Sequence, residues 1–208
     1  MSTLKIGPKG LALVKSFESF IPYPYDDLRP PVKGVYREWK GGPALGTLTI
    51  GYGHTDSAKH PLKIRPGLRL TEQEAVEILD VDMDECEADV RRLVKVQITQ
   101  GMFDALCSFT FNCGAGALQN IAARLNRGDY AAARDALALY IKSKGQTLRG
   151  LVRRRAAEQA LWDDKSATLP TAPVHHTAEV GSEPPTANWL SWVLSEVGRA
   201  LSAFLSKG

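Results

Sequence analysis

Cysteine is scarce in this chain of 208 residues: Cys86, Cys107 and Cys113 are the whole set. An odd, low count excludes a disulfide framework. No Cys-x-x-Cys or Cys/His spacing is present, so no metal site and no cofactor are expected. The three thiols are expected to be free and buried, behaving as small apolar residues. Long hydrophobic runs are missing as well, which excludes a polytopic membrane protein. The opening Met-Ser-Thr-Leu-Lys-Ile-Gly-Pro has no apolar stretch, so neither a secretory signal nor a membrane anchor is expected, and synthesis in a cytoplasm is. Internal repeats are absent. Charge of one sign is not in large excess either. With 26 basic and 23 acidic residues the formal charge is +3, without the concentrated basic stripe of a nucleic-acid protein.

What is present is a globular composition, 44% hydrophobic and 24% charged, which rules out global disorder. The length suffices for one domain with a real core, or a domain plus an appendage. Composition changes near Ser166. Residues 166–187 contain Pro170, Pro173, Pro184 and Pro185 and almost no large apolar residues, which reads as a linker. It separates a core domain at 1–165 from a tail at 188–208. The core holds 24 basic and 20 acidic residues and the linker and tail together 2 and 3, so the positive charge belongs to the core. Leu190, Val193, Val197, Leu201 and Phe204 give the tail an amphipathic helical stripe. It is too short to span a membrane, and Glu196 and Arg199 interrupt it. Two readings stay open for it: docking on its own core or a partner subunit, or contact with a membrane or outer envelope.

Within the core, Leu11, Val14 and Phe17 predict a helix over 9–20, with Pro8 in its first turn and Pro22 and Pro24 stopping it. Residues 25–54 mix Pro, Gly and aromatics around the β-branched Leu48-Thr49-Ile50, which predicts a small antiparallel β region. Gly51 and Gly53 allow unusual backbone angles beside Tyr52. Thr71-Glu72-Gln73-Glu74 is a capping box opening a helix to about Val94. Further helices are predicted at 99–111, 116–126, 129–142 (with Asp129 as N-cap) and 150–163. The expected class is α+β, a small N-terminal lobe with a short β region beside a larger, mainly helical lobe.

Glycoside cleavage needs a protonated carboxyl to give a proton to the leaving oxygen, and a second group to manage water or positive charge. Glu18, among the aromatics of Phe17-Glu18-Ser19-Phe20, is a candidate acid, because an apolar setting favours its neutral form. Nine residues on lies Asp27, in Tyr25-Asp26-Asp27. Later comes Thr49-Ile50-Gly51-Tyr52-Gly53-His54-Thr55. Together these strings resemble the phage-type lysozymes of glycoside hydrolase family 24, whose pattern is Glu-x8-Asp-x5-Thr. The segment from Phe103 to Gly114, Leu125-Asn126-Arg127-Gly128-Asp129, and the stretch from Gly150 to Glu158 are similar to the same family. The resemblance covers roughly residues 9–163.

The resemblance implies a lysozyme-like fold and a muramidase acting on bacterial peptidoglycan. Such an enzyme cuts the β-1,4 bond between N-acetylmuramic acid and N-acetylglucosamine, in the role of an endolysin for host lysis. It implies Glu18 as proton donor, Asp27 as the group that orients water or stabilises the transition state, and Thr49 as the residue that places the water. It also implies action in the periplasm or cell wall, a monomer, no cofactor and no nucleic-acid partner. His54 and Tyr52 are candidates for lining the cleft, with a structural role as the alternative for His54. Asn112 either contacts an N-acetyl group or caps a loop. Arg154 is a candidate partner for Glu18. Arg153 and Arg155 are expected to be solvated or paired with acids such as Glu158.

One departure stands out. Asp27 and Thr49 are 22 positions apart where the compact pattern has six. The intervening insertion must loop out, and Tyr36 and Trp39 in it either stack on sugar or pack the insert. Asp26 is expected to be a solvated turn residue. Two other functions remain open: a lytic transglycosylase on the same bond, and a wall- or membrane-active binding protein.

Overall fold

A computed structural model describes residues 4–143 and 145–164. The predicted linker and tail helix lie outside the described residues. Among the described residues no helix is long and apolar enough to cross a membrane.

The first helix, α1 (Pro8–Phe17), begins with its proline in the first turn, where the missing N–H costs nothing. It ends three residues earlier than the sequence predicts. Glu18 is already extended, at φ −100° and ψ 125°. The two prolines expected to stop the helix instead lie inside β1 (Ile21–Asp26). β1 tolerates them because it is an edge strand of the sheet β1-β2-β3. The other strands are β2 (Leu48–Gly51) and β3 (His54–Thr55). All pairing is antiparallel, with Tyr25 opposite Thr49 and Thr49 opposite Thr55. Gly51 and Gly53 take φ of 66° and 91°; these glycines carry the chain around the tight β2–β3 corner at Tyr52.

The helical lobe follows the sequence more closely. Its first member, α2 (Glu72–Leu93), starts at the Thr71 capping box, with Thr71 and Glu74 satisfying each other's backbone N–H groups. Next comes α3 (Gln100–Leu125), which joins the two predicted stretches end to end. Gly114, at φ 76° and ψ 167°, breaks it between them. Asp129 caps α4 through the Ala132 N–H. That helix, Tyr130–Leu137, stops short of the predicted 142. The chain turns instead into a small hairpin, β4 (Lys142–Ser143) and β5 (Gln146–Thr147). Gly145 at φ 78° permits the turn. Last comes α5 (Arg149–Trp162).

The core sits among these helices. Phe103, Leu106, Phe109, Leu118 and Ile121 of α3 pack with Leu79, Met83 and Val90 of α2 and with Val14 of α1. Burying each large side chain is worth about 1.5–3 kcal/mol. That central α3 is hydrophobic nearly all round, as a helix enclosed by neighbours must be. The architecture is thus α+β, with a small β region beside a mainly helical lobe, as the sequence predicts. The three cysteines are free; Cys107 is buried and Cys86 and Cys113 are half-buried.

Candidate active site

Three helices converge on Glu18. The residue follows the last turn of α1, and its own N–H still closes that turn onto Val14 O at 3.0 Å. Its side chain is buried and meets Arg154 of α5, whose Nη1 donates to Glu18 Oε1 at 2.7 Å. Arg154 also donates through Nε to Glu158 Oε1 at 3.3 Å and through Nη2 to Ser108 O of α3 at 3.2 Å. Both partners of the Glu18–Arg154 pair are fully enclosed. Glu18 Oε2 is buried with no hydrogen-bond partner among the described residues.

Burial pushes the Glu18 carboxyl above the ordinary glutamate range, and the Arg154 charge and hydrogen bond offset this only in part. Glu158 draws on the same guanidinium, while Arg155 sits on Glu158 as well, with Nε 2.8 Å from Oε2. Helical spacing makes this possible, since Arg154, Arg155 and Glu158 fall three and four positions apart. Of the three consecutive arginines, Arg154 and Arg155 are buried and Arg153 is exposed. Arg155 continues to Asn112 Oδ1 at 2.8 Å and to Cys113 Sγ at 2.9 Å.

Asp27 follows β1 directly. Its backbone N–H donates to Thr47 O at 3.1 Å, and its Oδ1 accepts the Thr47 N–H at 2.7 Å. Oδ2 is buried without a hydrogen-bond partner among the described residues. Burial raises the Asp27 carboxyl; hydrogen bonding from Thr47 lowers it, the Asp26 charge raises it, and the net shift is upward. On β2, Thr49 is buried, with Oγ1 donating to Thr47 O at 3.3 Å. Glu18 and Asp27 therefore each keep one buried, unpaired carboxyl oxygen.

Asp26 corrects an expectation. It is buried rather than solvated. Oδ1 accepts from Leu28 N at 3.1 Å and Gly46 N at 3.0 Å. Oδ2 accepts from Leu45 N at 2.7 Å and Arg29 Nε at 3.2 Å. Burial alone would raise this carboxyl, but the four donors more than offset it and hold it below the ordinary aspartate range. Tyr36 packs the insert, buried with its ring 4.4 Å from that of Tyr25. Trp39 is half-buried, its Nε1 donating to Gly42 O at 3.2 Å.

The surroundings of two candidate cleft residues do not support substrate binding. Tyr52 is buried, and its hydroxyl donates to Glu72 Oε1 at 2.8 Å. His54 is buried with Nδ1 2.7 Å from Asp82 Oδ2 and Nε2 3.1 Å from Leu62 O. The structural alternative for His54 fits this geometry, because both ring nitrogens are engaged. Asn112 lies within α3 rather than in a loop, and its Nδ2 is buried without an acceptor.

Sequence reasoning passed over Tyr25. The residue is buried opposite Thr49 on the neighbouring strand. Burial raises its phenol far above the ordinary range, as do the neighbouring Tyr36, Glu18 and Asp27. A signal was available: Tyr25 and Asp27 are two positions apart, the spacing that puts strand residues on one face. Among the described residues no group of three or more His, Cys, Asp or Glu is arranged to hold a metal ion.

Known proteins are similar to this chain in sequence and fold. The phage lysozyme family model matches residues 15–158, a span that includes Glu18, Asp27, Thr49 and Arg154. The endolysin of Bacillus phage B103 is 35% identical over 161 residues, covering 76% of this chain and 54% of that protein. The chain thus spans about half the length of the first curated relatives it matches. Among solved structures, the muramidase domain of SpmX from Asticaccaulis excentricus superposes with a TM-score of 0.61 at 32% identity, covering 77% of this chain and 98% of that one. A variant of phage P22 lysozyme gives 0.63 at 29% identity, covering 77% and 99%. A family model matched across most of the chain and a shared fold lead to one conclusion: the chain belongs to the phage lysozyme family.

Proposed function

We propose that this protein is a peptidoglycan-degrading lysozyme that hydrolyses the β-1,4 bond between N-acetylmuramic acid and N-acetylglucosamine. The observation that carries this reading is Glu18: a fully buried carboxyl, raised by burial, tied through Oε1 to Arg154 and leaving Oε2 unpaired. A carboxyl in that state holds its proton on the untied oxygen, ready for the leaving glycosidic oxygen. Asp27 takes the second role through Oδ2, orienting water or stabilising the oxocarbenium-like transition state. Thr49, opposite Tyr25 across the strand pair, places the water. Asn112 Nδ2 is free to donate to the glycan.

Relatives named endolysins and a structural neighbour named as a muramidase domain support this reading. They support action on the cell wall and a part in phage host lysis. The second carboxylate with its unpaired oxygen favours hydrolysis over transglycosylation, which needs no water-positioning pair. The test is mass spectrometry of soluble products from purified peptidoglycan digested in heavy-oxygen water. Labelled reducing ends from wild type, reduced about 10²–10⁴-fold by Glu18→Gln, are expected. Unlabelled anhydro ends would mean transglycosylation. Full lysis of lipid-free sacculi by Glu18→Gln would reject the catalytic assignment and favour a binding or membrane role.

A further inference from the structure

Asp26 sits beside the proposed second carboxylate, yet both of its oxygens are already saturated by four donors. Those donors come from the two ends of the insertion. Leu28 and Arg29 open the segment 28–47, and Leu45 and Gly46 close it. One buried carboxylate thus ties the base of the whole insert. The next residue after the tie is Thr47, which exchanges two hydrogen bonds with Asp27, donating to Oδ1 at 2.7 Å and accepting from its N–H at 3.1 Å. The fit around this point is tight. A Cβ on Gly46 would strike Asp27 Oδ1 and the Leu28 side chain. Higher in the insert, Trp39 N donates to Pro24 O at 2.7 Å, and Glu38 pairs with Arg69 at 2.8 Å.

We propose that Asp26 is a positioning residue: by tying the two ends of the 28–47 segment it fixes the Thr47 N–H on Asp27 Oδ1 and so sets which Asp27 oxygen faces the reaction. This rests on the reading of Asp27 as the second carboxylate. Asp26 itself neither touches substrate nor moves a proton. Its burial is compatible with a full charge only because every lone-pair direction meets a donor. Asparagine has the same size but brings an N–H2 group against N–H donors, so Asp26→Asn releases one end of the insert. The negative charge of Asp26 is also one of the influences that raise Asp27, so its loss lowers Asp27.

The test is steady-state kinetics on soluble peptidoglycan fragments across pH, with near-ultraviolet circular dichroism, for wild type, Asp26→Asn, Asp27→Asn and Arg29→Met. Asp26→Asn is expected to lower kcat about 10–100-fold, the scale of a misplaced catalytic group. KM should stay within about twofold, because uniform binding is untouched. The acidic limb should move to lower pH. Wild-type turnover in Asp26→Asn, with Asp27→Asn inactive, overturns the inference and leaves the proposed function standing. A rise in KM matching the fall in kcat, or an unmoved acidic limb, assigns Asp26 a merely structural role and also overturns it. An active Asp27→Asn overturns the reading beneath it. If Asp26→Asn loses its near-ultraviolet signal, Arg29→Met decides, since it removes the Arg29 Nε donor from Asp26 Oδ2 while leaving Gly46, Thr47 and Asp27 unchanged. A folded Arg29→Met with reduced kcat and unchanged KM supports the inference; one with wild-type kcat overturns it.

Discussion

The two lobes hold their polar groups in different ways. In the helical lobe, Arg154, Arg155, Glu158 and Ser108 form a buried network between α3 and α5, built from side chains three and four positions apart on one helix. In the β region, Asp26 and Asp27 are held by backbone N–H groups about twenty positions away. The first arrangement is made of permanent cations and carboxyls locked in a packed core. The second depends on an irregular segment returning to the right place. Glu18 stands at the junction, carried by the chain leaving α1 and gripped by the helical network. The proposed acid, Glu18, and the proposed second carboxylate, Asp27, are thus held by different kinds of structure.

The harshest way to break the comparison is to remove the cation of the helical network. Arg154→Met leaves Glu18 and Glu158 without their shared guanidinium in a site sealed from water. Removing one partner of a buried pair typically costs about 3–5 kcal/mol, and a drop of that size is expected in urea unfolding. The same variant should raise the Glu18 carboxyl further, because burial loses its main counterweight. The alkaline limb of the pH–rate profile, set by loss of the Glu18 proton, should then move to higher pH. Stability within about 1 kcal/mol of wild type would mean that the network tolerates an apolar core in its place.

A second variant separates backbone from packing. Gly114 breaks α3 at φ 76° and ψ 167°, a region essentially confined to glycine. A Cβ there meets nothing within 4 Å, so Gly114→Ala isolates conformational strain. A loss of about 1–3 kcal/mol is expected in thermal or denaturant unfolding. No loss would show that the break relaxes into continuous helix. On the surface of the same lobe, Thr71→Ala removes the hydroxyl half of the capping box. It should cost about 1 kcal/mol by the same measurement.

What the sequence made legible follows the same divide. The helical lobe could be read because its signals are local: a capping box at Thr71, an N-cap at Asp129, and apolar residues at helical spacing. Even the Gly114 break was visible as a gap between two predicted stretches. The β region was legible as an antiparallel unit around Leu48-Thr49-Ile50, but its working parts were not. Asp26 reads as a solvated turn residue until Leu45 and Gly46 are seen to return to it, and no periodicity announces that return. Tyr52 and His54 read as cleft residues because they sit in the most distinctive string, yet their polar atoms are engaged by Glu72, Asp82 and Leu62. Arg154 could be singled out beside Glu18 only through family resemblance. Spacing alone could not distinguish it from the exposed Arg153.

The smallest expected effect sharpens the contrast as a slope rather than a loss. His54 lies in the β region with one ring nitrogen on the Asp82 carboxylate and the other on the Leu62 carbonyl. Two acceptors are matched fully only by the doubly protonated ring. Burial alone would lower the His54 pKa, but the Asp82 hydrogen bond, the Leu62 carbonyl and the charges of Asp82 and Asp56 together raise it above the ordinary histidine value of 6.5. His60 stands edge-on to the same ring at 5.9 Å, and its backbone N–H donates to the other Asp82 oxygen. A raised folded-state pKa stabilises fully below the unfolded value, and the contribution is lost as pH rises through the raised one. The thermal midpoint of wild type should therefore fall with pH across the window just above 6.5, and His54→Gln should remove that fall. An identical pH dependence in wild type and His54→Gln would mean that the ring is neutral in the fold.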